Sequence, residues 1–450
     1  MTRIALLLLT SLTICAAAQT APTPPLGWNS WDSYGLTINE SEFKANVEWF
    51  HEHLQPLGWQ YVVVDEGWYL QHPEVSATTG YVVSPDGRYL PAEIRFPSAG
   101  AGQGFKPLAD YVHSLGLKFG IHIIRGIPRE AVEKNLPIAD SGFHAADAAD
   151  TSDTCRWNSD NYGVKNNAAG QAYYDSVAKL YAGWGLDFLK VDCISKPYLT
   201  NEIHMVSAAL QKTGRPIVLS LSPGPTPIED AADARLHAQQ WRISDDVWDL
   251  WAKNKSGQAG ADSAPDSFPQ PLLRQFAKLA LWAPHIESGH WPDADMLPIG
   301  YLGPRPGWGK ARQTRLTHDE QRTLITLWSI ARSPLILGAN LTQMDPFTES
   351  LLTNPEVLAS DQDSTANRPV IQQPGTAVWT ASSPGNSHYV AVFNLSDSPQ
   401  ALSWSWPELR LPSGKQKIRD LWQRKDLGSS DRLGVTLAPH ASALFAVSAP

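Results

Sequence analysis

Eight short apolar stretches, each followed by an amphipathic one, constrain this chain more than any other feature. They are LGWNSW (26–31), WQYVVVDEGW (59–68), LKFGIHIIRG (117–126), LDFLKVDC (186–193), PIVLSLSP (216–223), WRISDD (241–246), HWPDADML (290–297) and SPLILGA (333–339). Several carry near-continuous apolar runs instead of alternating with polar residues, which indicates parallel strands buried on both faces. Between them, NESEFKANVEWFHEHL (39–54), FKPLADYVHSLG (105–116), QAYYDSVAKLYAGWG (171–185) and HDEQRTLITLWSIAR (318–332) repeat apolar residues at helical spacing. The first opens with an Asn/Ser cap, and the second and third end at Gly. Eight such units over about 250 residues or more predict a (β/α)8 TIM barrel. A doubly wound sheet would carry a Gly-rich phosphate loop after its first strand, and none follows residue 31.

The texture changes after Leu341. AVWTAS, HYVAVFNLS, ALSWSW, KIRDLW and ALFAVS are short strands divided by Ser, Pro, Gly and Asn turns. They predict a C-terminal antiparallel β-sandwich. At the other end, MTR precedes IALLLLTSLTICAAA, an apolar run too short to span a membrane and followed by small residues. The expected organisation is a signal peptide over 1–18, a barrel over 19–345 and a sandwich over 346–450. Such a chain is secreted or periplasmic and has no membrane insertion once the signal is cleaved. Acylation at Cys15 is disfavoured, because Ile14 is large for the position before a lipidated cysteine. Two long connections, 69–104 and 127–170, follow the second and third strands, and loops of that length in a compact domain are commonly functional.

The net charge of −9 argues against a nucleic-acid partner, which needs a basic patch. The 18 Trp are mostly core, with some available as sugar-stacking platforms. Beyond the signal, Cys155 and Cys193 remain, compatible with one disulfide or with two buried thiols. The composition leaves a homo-oligomer open.

Polar residues collect at the strand ends: Trp31 and Asp32, then Asp65 and Glu66, His122 and Arg125, Lys190 and Asp192, Ser222, Arg242 with Asp245 and Asp246, and Asp293 with Asp295. In a barrel these ends converge on one mouth, where active sites are built. A single Asp there reads equally well as a helix cap. Six strands delivering charge to one rim point to chemistry. With no His-x-His or His-Glu-x-x-His pattern among these strand ends, no metal and no cofactor is expected at this mouth. A glycosidic bond flanked by two carboxylates fits the residue types present.

PPLGWNSWDSYG, YVVVDEGWY, FLKVDC, WRISDDVWD, GHWPDADML and RSPLILGANL, in this order, resemble the α-galactosidase and α-N-acetylgalactosaminidase family of retaining glycoside hydrolases, family 27. The resemblance runs over about residues 24–345 and extends to the sandwich. It implies Asp192 as nucleophile and Asp246, four residues after Arg242, as acid/base, with Asp245 as the rival acid. It implies that Asp65 and Glu66 read the O4/O6 edge of galactose, that Trp31 walls the pocket, and that Arg242 and Asp295 lie at the C2 side. Lys190, two residues before Asp192, projects from the same face of its strand and favours the ionised nucleophile. A family disulfide beside the nucleophile implies pairing of Cys155 with Cys193.

Three residues depart from the family pattern: Glu66 where Asp is common, His122 where Tyr is common, and Ser222 opening a Ser–Pro–Gly–Pro loop. All three touch recognition and none touches the acids. The first reading is an exo-α-galactosidase acting on a galactoside oligo- or polysaccharide. The alternative is a β-L-arabinopyranosidase on an arabinopyranoside substrate. An α-N-acetylgalactosaminidase and a non-catalytic carbohydrate-binding protein stand behind these.

Overall fold

The computed structural model describes residues 20–252, 268–303 and 310–450; the expected signal peptide lies outside the described residues. Eight parallel strands form one curled sheet: β1 (Leu26–Asn29), β2 (Tyr61–Val64), β3 (Lys118–Ile124), β4 (Phe188–Asp192), β5 (Val218–Leu221), β6 (Gln240–Arg242), β7 (Trp291–Asp293) and β8 (Leu335–Leu337). Their spatial order is β7-β6-β5-β4-β3-β2-β1-β8. The two ends are joined just beyond β7. Leu297 N–H donates to Ile336 O at 2.8 Å and Gly338 N–H to Leu297 O at 3.3 Å, a parallel bridge that closes the TIM barrel. Each strand falls where an apolar run was read, although the ladders are shorter. WRISDD pairs only to Arg242 and HWPDADML only over Trp291–Asp293. Asp245, Asp246 and Asp295 therefore sit in turns above the ladder.

The barrel is packed tightly inside. A Cβ at Gly120 would come 2.9 Å from both Val63 Cγ2 and Phe188 Cβ, so only Gly lets β2, β3 and β4 converge there. Helix α1 (Glu40–His53) starts with a capping box, in which Asn39 Oδ1 accepts from Glu42 N–H at 3.0 Å and Glu42 Oε2 from Asn39 N–H at 3.2 Å. Such a cap contributes about 1 kcal/mol. The outer layer continues with α2 (Lys106–Ser114), α3 (Ala168–Trp184), α4 (Thr200–Lys212), α5 (Ala231–His237), α6 (Leu272–Trp282) and α7 (His318–Ile330). No helix among the described residues is long and apolar enough to cross a membrane.

Two short helices, Pro346–Leu352 and Pro355–Gln362, lead into the second sheet. Its strands are β9 (Thr365–Gln373), β10 (Thr376–Ser383), β11 (Ser387–Asn394), β12 (Gln400–Ser405), β13 (Gln416–Asp420), β14 (Lys425–Ser430), β15 (Arg432–Leu437) and β16 (Ser442–Ser448). Six run antiparallel in the order β9-β10-β11-β16-β13-β14, and β12 pairs with β15 as a separate ribbon. Strand alternation divides the side chains between two cores. Val378, Val390, Val392, Phe445 and Val447 pack with Trp406 and Leu433 in the domain's own interior. Trp379, Ala391, Phe393 and Leu444 belong to the barrel's core cluster. Helix α7 lies at this junction. Thr323 Oγ1 donates to His440 O at 2.6 Å, and Trp422 Nε1 to Thr326 Oγ1 at 2.9 Å.

Candidate active site

The acids of the rim divide into buried ones, Asp32, Asp65, Asp293 and Asp295, and partly exposed ones, Glu66, Asp192, Asp245 and Asp246. Asp65, just past β2, accepts from Asn29 Nδ2 at 2.6 Å and from Lys190 Nζ at 3.0 Å, while its own N–H donates to Ser30 Oγ. Burial pushes its carboxyl up, but the charges of His122 and Lys190 and the donors Glu66 N–H and Asn29 outweigh this and hold it far below the ordinary range. Lys190 is driven the other way. Burial opposes its charge, and Asp65 and Asp192 more than restore it. Its ion pair is thus with Asp65, and its effect on Asp192 acts through space.

Asp192 closes β4. Cys193 N–H donates to its Oδ1 at 2.7 Å, and His122 Nε2 stands 3.6 Å from its Oδ2, a charge contact longer than a hydrogen bond, so the expectation that no departure from the family pattern touches the acids fails at His122. Register explains the meeting, because His122 is paired with Lys190 and Ile124 with Asp192 on neighbouring strands. Burial raises the Asp192 carboxyl. His122, Lys190 and the Cys193 N–H together bring it below the usual value.

Across the mouth, one nitrogen of buried Arg242, Nη2, serves two acids, Asp246 Oδ1 at 3.2 Å and Asp295 Oδ2 at 2.8 Å. The Asp246 side chain is 38% exposed against 3% for Asp295, so Asp246 is the more open of the two to the mouth. Asp245 is engaged elsewhere. Its Oδ2 pairs with Lys196 Nζ at 3.0 Å and its Oδ1 accepts from Asp246 N–H at 2.9 Å. Burial raises Asp246, and Asp245 and Asp192 add to it against the opposing Arg242. Asp295 is pushed up to about 7, chiefly by burial, with Asp246 and Asp293 adding and Arg242 opposing. Its carboxylate is fixed by Val247 N–H and Met296 N–H, both at 2.7 Å. Its φ of 96° is strained for a non-glycine residue.

Glu66, beside Asp65, points to the loop after β3. Asn158 Nδ2 donates to Glu66 Oε1 at 2.7 Å and reaches Asp160 Oδ2 at 3.2 Å. Asp160 is held in turn by the hydroxyls of Tyr69 and Tyr81, at 2.7 and 2.6 Å. Burial raises Glu66 to about 7, with Asp192, Asp160 and Asp65 adding and His122 opposing. The disulfide between Cys155 and Cys193, with Cα atoms 5.9 Å apart, ties this loop to the residue after Asp192. Trp157, 49% exposed, lies on the same segment.

The remaining expected residues also lie around this mouth. Trp31 is partly buried after β1, its N–H donated to Asn29 Oδ1 at 2.9 Å. Ser222 is buried after β5, where its N–H donates to Val191 O and its carbonyl accepts Ile194 N–H. Arg125 differs from the rim residue it was read as. Its guanidinium is turned into the wall, bidentate to Asp153 at 2.8 Å, paired with Glu202 at 2.8 Å and bonded to Cys193 O at 3.1 Å. Asp32 lies buried beneath the rim. Burial raises its carboxyl well above the ordinary value, and Asp295 adds to the shift. Asp32 requires Gly338, where a Cβ would fall 2.1 Å from Asp32 Oδ2. Asn29 and Asn158 were not singled out in the sequence. Asn29 stands inside the quoted GWNSW motif, whereas Asn158 sits in an aperiodic loop with no pattern to mark it.

A family model described as alpha galactosidase A matches residues 160–363, and one described as the alpha galactosidase C-terminal beta sandwich domain matches residues 373–447. The crystal structure of a GH27 β-L-arabinopyranosidase from Geobacillus stearothermophilus is 45% identical, with a TM-score of 0.89 over 96% of this chain and 97% of that one. The chain belongs to glycoside hydrolase family 27. An alpha-galactosidase from Oryza sativa subsp. japonica is 26% identical over 430 residues, 94% of this chain and 84% of its own. Alpha-galactosidase I from Mortierella vinacea is 26% identical, with a TM-score of 0.74 over 95% of this chain and 98% of its own. Family membership makes the protein a glycoside hydrolase, and family 27 enzymes are retaining glycosidases.

Proposed function

We propose that the protein is an exported exo-glycosidase that removes terminal β-L-arabinopyranosyl and α-D-galactopyranosyl residues, with the arabinoside preferred. Asp192 is the nucleophile and Asp246 the acid/base. One observation carries the assignment of roles: two carboxyls of one mouth are driven apart, Asp192 below its ordinary value and Asp246 above it. An ionised nucleophile facing a protonated acid is the starting state of double displacement.

In the first step an Asp192 oxygen attacks the anomeric carbon. The bond to the leaving oxygen breaks, and Asp246 gives that oxygen its proton. In the second, Asp246, now ionised, takes a proton from water as the water oxygen displaces the Asp192 ester. The sugar leaves with its anomeric configuration retained. Lys190 and Asp65 form a ready-made hydrogen-bonding edge for ring hydroxyls, and Arg242 with Asp295 forms another.

The preference for arabinopyranose rests on Glu66. L-Arabinopyranose presents the ring stereochemistry of D-galactose without the C6 arm. Glu is one methylene longer than Asp, and Asn158 fixes its carboxyl at the rim. The 45% identity to a β-L-arabinopyranosidase supports the same reading. Purified mature protein assayed on aryl β-L-arabinopyranoside, α-D-galactopyranoside and α-N-acetylgalactosaminide tests it. A higher kcat/KM on the first than on the second is expected. Turnover of neither, or inversion seen by NMR of the released sugar, overturns the proposal.

A further inference from the structure

On the outer helical shell, α4 and α5 bring three side chains of metal-ligating chemistry together. His204 Nε2 lies 2.8 Å from Asp233 Oδ1, and His237 Nδ1 lies 3.5 Å from the same oxygen. All three ligand atoms fall within 4.8 Å of one another. Asp233 and His237 are four residues apart on α5 and so share one helix face, while His204 comes from α4. The two imidazoles are stacked, with ring centroids 3.8 Å apart at 23°. Tyr198 donates its hydroxyl to the other carboxylate oxygen, Asp233 Oδ2, at 2.7 Å. A supporting hydrogen bond of this kind orients the ligating carboxylates of metal sites.

We propose that His204, Asp233 and His237 form a zinc site that clamps α4 to α5. Two imidazole nitrogens and one carboxylate make a borderline donor set of the kind zinc takes, whereas calcium and magnesium take oxygen ligands. Bonds of about 2.0–2.2 Å at tetrahedral angles put neighbouring ligand atoms about 3.3–3.6 Å apart. The His237–Asp233 separation already meets this, whereas His204 has to withdraw by about half an ångström and one of the two stacked rings has to rotate so that both nitrogen lone pairs point at a single ion. His237 Nδ1 is also 2.9 Å from its own-helix carbonyl, Asp233 O. Ligation at Nδ1 therefore requires the ring proton to move to Nε2 and the carbonyl contact to open. Three protein ligands leave a fourth position for water. Each ligand must give up its proton at the ligating atom before the ion can bind. Helix α4 follows the strand bearing Asp192, and α5 precedes the strand bearing Arg242, so the clamp would brace the frame behind both.

The test is isothermal titration of chelator-treated mature protein with zinc chloride, paired with thermal unfolding. One saturable site is expected, with a rise of about 3 °C in unfolding midpoint at a hundredfold excess over Kd. His204→Ala and His237→Gln should each weaken binding at least tenfold and remove the shift, with far-UV circular dichroism confirming that both fold. Magnesium and calcium chloride should produce no shift. Absence of saturable zinc binding, unchanged affinity in both variants, or an equal shift with calcium would overturn the proposal.

Discussion

Asn158 and Glu66 stand 2.7 Å apart although 92 positions separate them in the chain. The loop after β3 thereby holds an acid that β2 delivers, and it is itself anchored beside the nucleophile by the Cys155–Cys193 bridge. Selectivity is thus expected to depend on a residue outside the barrel strands.

Glu66→Asp should move the kcat/KM ratio toward the galactoside. A one-methylene difference is typically worth about 1–3 kcal/mol, or roughly ten- to two-hundredfold. Asn158→Ala should change the same ratio through Glu66, so the double variant should show little beyond Glu66→Asp alone. The measurement is a double-mutant cycle on the two aryl glycosides, and fully additive effects would separate the two residues.

Asp192→Ala should abolish turnover, with azide restoring part of it to give product of inverted configuration. Asp246→Ala should slow glycosides with poor leaving groups far more than activated aryl glycosides. The pairing of Asp245 with Lys196 predicts that Asp245→Ala lacks this leaving-group dependence. A Brønsted plot over a series of substituted phenols distinguishes the two.

The pH profile of kcat/KM should be bell-shaped with both limbs displaced. Asp192 must be ionised and its pKa is depressed, so activity persists on acidification until below the ordinary carboxylate range. Asp246 must be protonated and its pKa is raised, so activity falls as pH climbs through that higher value. His122 is the largest influence offsetting burial at Asp192. His122→Phe should therefore move the acid limb upward. An unmoved acid limb would place its titration elsewhere.

Replacing Cys155 and Cys193 by Ser should destabilise the protein by about 2–4 kcal/mol in denaturant unfolding. It should also raise KM through the loosened Asn158 segment. Native alkylation with mass spectrometry should find no free thiol at either position, and labelling at both would remove the bridge.

The barrel could be read because parallel strands covered on both faces leave continuous apolar runs, and because function gathers where those runs end. What escaped reading has no period. Arg125 looks like a rim residue by position, yet Glu202 of α4 and Asp153 of the loop draw it into the wall. Asn158 carries no local signal, since its partner is supplied by the fold. Strand ends were overrun at Asp246 and Asp295 because polar residues that finish a ladder and polar residues just above it look alike in sequence.

Helix α7 is buried from Thr323 to Ile330 on every side, not along a single stripe. A helix on the rim of a free-standing barrel would show water one polar face. Here the appended sheet supplies that face's cover through Trp379, Phe393 and Leu444. The catalytic half is therefore not a transplantable cassette: any excision, circular permutation or domain exchange that cuts before Thr365 strips one wall from the barrel itself.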